Sequence, residues 1–152
     1  MRPSQRARSA VSLPEPAVSV CRMALDPDLK GFATAKNFAV LSTLMPDGQP
    51  QTQMMWVNAD DEHILINTEV GRQKYRSVQA DPRVTVNVFD VTNPYRYVEA
   101  RGRVVGTVGG DAARADIDTL SQRYTGGPYA GEIGSDRVIL QIAVDHVHKN
   151  NV

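Results

Sequence analysis

The sequence predicts a mainly β domain, a β-barrel with α-helices in which six antiparallel strands curl around one core. Alternating β-favourable segments outnumber helical ones, hairpin-type turns join the first of them, and no regular strand–helix–strand order would build a parallel sheet. The 152 residues fit one domain. Because a barrel of this size is filled by its own side chains, a large ligand is expected outside it or between subunits.

The charge balance excludes two classes of partner. Lys and Arg number 17 and Asp and Glu number 17, so the formal net charge is zero. A neutral chain has no general field to draw it onto nucleic acid or an anionic membrane. No apolar run approaches the roughly 20 residues of a membrane span, and Cys21 has no partner for a disulfide. We therefore expect a cytoplasmic, non-membrane protein.

The first 22 residues differ in composition from the rest. Four arginines oppose only Glu15, prolines recur, and no helical or strand period is present. Glu15 and two prolines also interrupt the only candidate for the apolar segment of a secretory signal. Residues 1–22 are predicted to be a disordered extension, and residues 23–152 the folded domain.

The first half of the domain predicts a helix and three strands. Asp26 and Pro27 suit a helix start, followed by apolar residues at helical spacing. Strands are predicted over residues 37–45, 50–58 and 62–68, joined by turns at 46–48 and 59–61. Three consecutive strands joined by short turns predict a three-stranded meander.

The second half predicts two helices and three strands. A helix over residues 71–80 ends at Asp81, because the residue before a proline avoids the helical region. Strands follow at 84–89, 95–107 and 136–147. Between the last two, a helix begins near Gly110 and ends at Gly126. It presents one apolar face, formed by Ala113, Ile117, Leu120 and Tyr124.

Residues 67–74 are the first candidate site. Asn67 and Thr68 end a strand, and Gly71 leads into a helix whose free N–H groups favour an anion. Arg72 and Lys74 in the first turn could bind a phosphate through charge-assisted hydrogen bonds. The alternative is that both cations are simply solvated on a surface helix.

Two strands carry further candidates. Met54, Met55 and Trp56 stand beside polar Gln51 and Gln53, and can either support a planar ring or fill the core.

Residues 95–103 place Tyr, Tyr, Glu, Arg and Arg on one strand face. Such a face suits a dimer contact, with base stacking as the alternative. The three histidines lack cysteines or carboxylates at ligand spacing, so no metal site is predicted.

No nucleophile elbow, dinucleotide-binding glycine motif or paired-cysteine motif is present. The chain also offers no evident acid, base or nucleophile. An enzyme of this kind would depend on a cofactor for its chemistry.

The residues from Asp28 to Val147 resemble the split β-barrel flavin and deazaflavin oxidoreductases related to pyridoxamine 5′-phosphate oxidase, especially their F420-dependent branch. The segments that show the resemblance are residues 38–43, 46–48, 56, 71–74, 81–84, 93–99 and 101–104. Members of that branch usually have Pro-Val before the tryptophan and Asn at the Ser77 position, where this chain has Met54, Met55 and Ser77.

The resemblance implies an FMN-binding-like split β-barrel that forms a homodimer, with cofactor sites along the subunit interface. Arg72 and Lys74 would hold the phosphate, with Asn67 and Thr68 as neighbours, and residues 53–56 would lie against the tricyclic ring. The implied cofactor is coenzyme F420, with FMN as the alternative. The implied reaction is hydride transfer to a quinone, enone or tetrapyrrole, and a non-catalytic flavin- or tetrapyrrole-binding protein is the remaining alternative.

Overall fold

A computed structural model describes residues 23–152, so the extension predicted over residues 1–22 lies outside the described residues. The elements in chain order are α1 (Pro27–Thr34), β1 (Phe38–Leu44), β2 (Pro50–Met55), β3 (Asn58–Ala59), β4 (Ile64–Glu69), α2 (Gln73–Ala80), β5 (Arg83–Asp90), β6 (Asn93–Gly109), α3 (Gly110–Thr125) and β7 (Arg137–Asn150). No helix among them is both long and apolar enough to cross a membrane.

The described strands form one antiparallel sheet in the order β2-β1-β5-β6-β7-β4-β3. This confirms the mainly β fold, with seven strands where six were predicted and with β2 and β3 as the two edges of an open sheet. The extra strand arises because the segment predicted as one strand over residues 50–58 divides into β2 and β3.

The division of that segment makes the predicted meander wrong. β2 pairs with β1 at one edge, whereas β3 pairs with β4 at the other, and β4 pairs along its length with β7. Trp56 and Val57 form the crossover between the two edges, and Val57 is fully buried. Local alternation of side chains marks a strand but does not identify its partner, and the burial of Val57 is a tertiary effect.

The inner face of the sheet forms the main core. The alternation predicted for β4 and β5 is confirmed, because Ile64, Ile66, Val86 and Val88 have no exposed surface. Burying each such side chain contributes about 1.5 to 3 kcal/mol. The core is continued by Leu29, Ala33, Ala39, Leu41, Val84, Val98, Ala100, Leu140 and Ile142.

Helix α3 covers a second, smaller cluster. Its predicted apolar face is confirmed, since Ala113, Ile117, Leu120 and Tyr124 are all buried. The helix ends at Gly126, whose φ of 80° is in the left-handed region that favours glycine. The cluster of α3 packs against Phe38, Trp56 and Tyr129, so the helix is held over the crossover between the two sheet edges.

The cap of α1 allows a direct test of local stability. The Asp26 carboxylate accepts hydrogen bonds from the backbone N–H groups of Asp28 (3.0 Å) and Leu29 (3.2 Å). We expect Asp26→Ala to lower the free energy of unfolding by about 1 kcal/mol, measured by urea denaturation. The control is Asp111→Ala in the first turn of α3, where the side chain is exposed. An equal loss in both variants would contradict the role of the cap.

Candidate cofactor-binding site

An open pocket of about 430 Å³ lies where the crossover leaves β2 and passes under α3. Its wall combines three of the predicted ring contacts, Met54, Met55 and Trp56, with residues from α3 and the loop after it. The complete lining is Phe38, Met54, Met55, Trp56, Asn67, Ile117, Leu120, Tyr129 and Arg137. A largely apolar cavity with a few polar groups is typical of a ligand site.

Aromatic rings give this wall flat surfaces. Trp56 stacks on Tyr124 with ring centroids 5.1 Å apart and planes inclined by 5°, and it meets Tyr129 edge-on at 6.1 Å. Phe38 packs against Tyr124 at 5.5 Å. The mutual contacts restrict the orientation of each ring. The wall is therefore suited to a planar aromatic ligand.

Arg137 provides the positive charge on the wall. Its side chain is only 9% exposed, and its guanidinium lies 5.4 Å from the centre of the Tyr129 ring. The Nε atom donates to Asn67 Oδ1 (2.9 Å), and Nη1 donates to Glu69 Oε1 (3.1 Å). Among residues 23–152 no hydrogen bond involves Nη2, so this nitrogen remains able to donate to a ligand.

Asn67 reaches the pocket but has little hydrogen-bonding capacity left. Its Nδ2 donates to the carbonyl of Ala113 (2.8 Å) and to Asp116 Oδ2 (2.9 Å), while its Oδ1 accepts from Arg137. An Asn amide has two N–H donors, and both are used here. Asn67 therefore orients Arg137 and joins β4 to α3. Neither N–H group of its amide is free to donate to a phosphate in this arrangement.

Glu69 is the buried carboxylate at the centre of the polar side of the site. It is 3% exposed, and its Oε2 accepts from the backbone of Gly134 (3.1 Å) and Ser135 (3.1 Å) and from Ser135 Oγ (3.3 Å). Burial raises the pKa of Glu69, but these hydrogen bonds and the nearby Arg72 together hold it below 4.5. The carboxylate stays ionised and anchors the loop that carries Tyr129.

The lowered pKa of Glu69 implies a pH-dependent stability. A carboxyl group with a lower pKa in the folded state stabilises the protein at pH values above its unfolded-state pKa, which is near 4.5. This stability is lost as the pH falls through the folded-state pKa. We expect Glu69→Gln to have a lower free energy of unfolding than wild type at neutral pH. The difference between the two proteins, measured by urea denaturation, should narrow below pH 4.5. Glu132→Gln, in the exposed part of the same loop, is the charge-matched control. A difference in the free energy of unfolding that stayed the same at all pH values would contradict the lowered pKa of Glu69.

Three cations surround the Glu69 carboxylate. Arg72 Nη2 lies 3.7 Å from Glu69 Oε1, and Arg137 is its close partner. Burial lowers the pKa of Lys74, and the charges of Arg72 and Arg137 lower it further, while Glu69 acts in the opposite direction. The three cations outnumber the Glu69 carboxylate and the nearby Asp116, which is joined to Arg137 through Asn67, so a bound anion would be favoured at this corner.

The N-terminus of α2 lies at the same corner. Arg72 is its N-cap residue, and no side chain caps the helix there. The first N–H groups of a helix carry a partial positive charge and bind anions. Arg72, Lys74 and Arg137 together therefore fit a phosphate, and the pocket beside Arg137 fits a planar ring.

The other residues proposed from the sequence do not line the pocket. Thr68 is buried at 5% exposure, Gln53 is exposed on the edge strand β2, and Ser77 is buried with its hydroxyl accepting from Gln73 Nε2 at 3.2 Å. Gln51 lies opposite Thr43, and Gln51 Oε1 and Thr43 Oγ1 are buried atoms without a hydrogen-bond partner among the described residues. These two oxygens could accept a bond from a bound group.

Sequence reasoning missed Arg137, Phe38 and Tyr129 as pocket residues. Arg137 stands directly opposite Glu69 in the pairing of β4 with β7, which lie far apart in the sequence. Only the register of these two strands brings this cation to Arg72 and Lys74. The buried acidic residue at the end of a strand was the one available signal, because such a charge requires a partner.

The site thus combines a largely apolar, ring-lined pocket and a cluster of cations on a mainly antiparallel β fold. The model of the pyridoxamine 5′-phosphate oxidase family matches residues 25–151. The chain belongs to this family, and the resemblance found in the sequence is confirmed.

Two solved structures support the same assignment. An F420 reductase is 34% identical, with a TM-score of 0.71 over 83% of this chain and 100% of that chain. A conserved hypothetical protein of Mycobacterium tuberculosis is 25% identical, with a TM-score of 0.64 over 84% of this chain and 85% of the other. Together with the family, the F420 reductase supports an oxidoreductase of the flavin or deazaflavin kind.

A more distant neighbour shares the fold alone. A heme storage protein of Vibrio cholerae is 13% identical, with a TM-score of 0.58 over 84% of this chain and 96% of the other. No curated protein matches this chain in sequence.

Proposed function

We propose that this protein is an F420-dependent reductase that transfers a hydride to an unsaturated small-molecule acceptor such as a quinone, enone or tetrapyrrole. The observation that supports this most directly is that Arg137 lines the aromatic pocket and also stands beside Arg72 and Lys74 around Glu69. The similarity to an F420 reductase supports the deazaflavin as the cofactor.

The residues present fit such a cofactor. Arg72 and Lys74 would hold its phosphate at the start of α2, and Arg137 would link this corner to the ring wall. The exposed Met54 together with Met55 and Trp56 would contact the ring. A bound, reduced deazaflavin would supply the hydride to an electron-poor double bond.

In this proposal the chain itself binds the cofactor, orients it against the acceptor and excludes water from between them. The aromatic wall would hold ring and acceptor face to face, and placing two reactants in contact can account for several kcal/mol of a barrier. The residues that line the pocket include no carboxylic acid and no histidine. In this proposal the accompanying proton comes from solvent or from a further donor, and the Tyr129 phenol is the one hydroxyl among the described residues of the lining.

The outer face of the sheet is the proposed homodimer surface. A row of paired residues crosses it from β2 to β7: Met54, Val40, Asn87, Glu99 and His148. Met54 is 62% exposed on this face, and Asn87 Oδ1 is buried without a hydrogen-bond partner among the described residues. The predicted contact face of β6 continues the row, with Tyr95 76% exposed. A second copy would cover Met54 and supply a donor to Asn87.

Sedimentation velocity tests the dimer. A species of twice 16.7 kDa at micromolar concentration is the expected result. A single species of 16.7 kDa at all accessible concentrations would contradict it.

An FMN-dependent oxidase or reductase is the second candidate. The family of pyridoxamine 5′-phosphate oxidase favours it, and FMN has the same combination of phosphate and tricyclic ring. Arg72, Lys74 and Arg137 do not distinguish the two cofactors, since both present a phosphate to this corner.

Separate titrations with FMN and F420, followed by cofactor fluorescence, distinguish the candidates. Binding of F420 with turnover of its reduced form by a quinone or enone supports the main proposal. Tighter binding of FMN supports the second candidate. Binding without turnover of any acceptor would indicate a protein that stores or senses the ligand.

A further inference from the structure

Two residues at the end of α3 hold the pocket wall in place without lining it. Tyr124 is 8% exposed, stacks on Trp56 and packs at a tilt of 34° against Phe38. Its hydroxyl donates to the carbonyl of Asn37 and accepts from the N–H of Val57 at 3.4 Å. One side chain thus joins the start of β1 to the crossover, immediately beside Phe38 and Trp56 of the wall.

Arg123 holds the other side of the same crossover. Its Nη1 donates to the carbonyl of Val57 (3.1 Å), and its Nη2 donates to Asn58 Oδ1 (3.0 Å). Both backbone polar groups of Val57 are therefore bonded to side chains of α3, and neither is part of a β ladder. These bonds replace the ladder that the chain loses where it passes between the sheet edges.

The backbone beside Trp56 is held by these bonds, together with the burial of the Val57 side chain. Met55 is the last residue of β2, and Asn58 is the first of β3, so residues 56 and 57 have no strand partners. Burial raises the pKa of Tyr124, which keeps its hydroxyl protonated and able to donate to Asn37. The end of α3 thereby determines where one flat side of the pocket lies.

We infer that Tyr124 and Arg123 are positioning residues, which set the plane of Trp56 against the cofactor ring through the crossover backbone. The functional part of this inference rests on the proposed function, since it requires a ring in the pocket. Neither residue is among those that line the pocket, so each acts through Trp56 and Phe38.

Trp56 is the only tryptophan of the chain, so its fluorescence reports on the wall directly. Tyr124→Phe keeps the stacked ring and removes the hydroxyl. In the cofactor-free protein we expect Trp56 to become more accessible to acrylamide. We also expect the dissociation constant of the cofactor to rise by at most about tenfold, because the lost hydrogen bond lies within the protein and affects the ring only through Trp56.

Tyr124 and Arg123 together form a clamp on Val57, and Arg123→Gln tests the second half of this clamp with the same two measurements. Arg123→Lys can still donate to the Val57 carbonyl and should recover part of the wild-type behaviour. The control is Arg83→Gln, which removes the same charge at an exposed ion pair with Asp81, outside α3 and the pocket lining. It should leave both measurements unchanged.

A purely structural role predicts a different result. Tyr124→Phe and Arg123→Gln would then lower the urea midpoint while Trp56 quenching and cofactor affinity stayed at wild-type values, and this outcome would overturn the inference. If the wild-type protein bound neither F420 nor FMN, the proposed function would fail. The quenching comparison in the cofactor-free protein would still decide whether these residues position Trp56.

Discussion

Replacing Arg137 by glutamine is expected to lower the free energy of unfolding by about 3 kcal/mol, because it leaves the buried Glu69 without its closest cation. Glu69 is 3% exposed, and the two side chains meet at 3.1 Å. Its remaining bonds to the loop at Gly134 and Ser135 keep the loss below that of an isolated charge. Urea denaturation at pH 7 measures the change.

Arg83→Gln is the matched control for Arg137. Arg83 pairs with Asp81 at 2.7 Å, but its side chain is 75% exposed. Exposed pairs contribute about 0 to 1 kcal/mol, so this variant should remain near wild type. Equal losses in the two variants would mean that the burial of Glu69 does not determine the importance of Arg137.

Lys74→Ala is expected to weaken cofactor binding by about 1 to 3 kcal/mol, the loss expected for a charged hydrogen bond to phosphate. The cofactor-free protein should keep its stability or gain slightly. In the wild type, the partly desolvated ammonium of Lys74 is repelled by Arg72 and Arg137, as the lowered pKa of Lys74 indicates. Truncation relieves this repulsion, so stability and affinity should change in opposite directions.

Fluorescence titration with F420, and with FMN in parallel, measures the loss. Lys36→Ala, which removes an exposed lysine from the segment before β1, controls for the general effect of charge. Unchanged affinity in Lys74→Ala would remove this residue from the phosphate site. A fall in both stability and affinity would instead indicate a structural role.

Local signals predicted most of the secondary structure. Asp26 and Pro27 marked the start of α1, Asp81 before a proline marked the end of α2, and Gly126 marked the end of α3. Each of these depends on the conformational preference of one or two residues, which the sequence shows directly. The buried face of α3 followed from spacing alone, because the helical period is independent of what the helix packs against.

The segment after Pro50 shows the limit of what local sequence signals could predict. Its residues have the composition of one strand, but the chain leaves the sheet at Trp56 and rejoins it at Asn58 on the opposite edge. The clamp by Tyr124 and Arg123 that stabilises this path lies more than 60 residues away in sequence. Neither the crossover nor the pocket beneath it could be predicted without that contact.

The sequence by itself determined the class of fold, the helix ends, the inward faces of the strands and the cations at the start of α2. These features depend on residues close together in the chain. Only the tertiary structure decided that Arg137 joins Arg72 and Lys74, that Asn67 serves Arg137, and that an aromatic wall forms beside them. The physical reason is that strand register and helix docking are set by the burial of the whole core, which no single segment encodes.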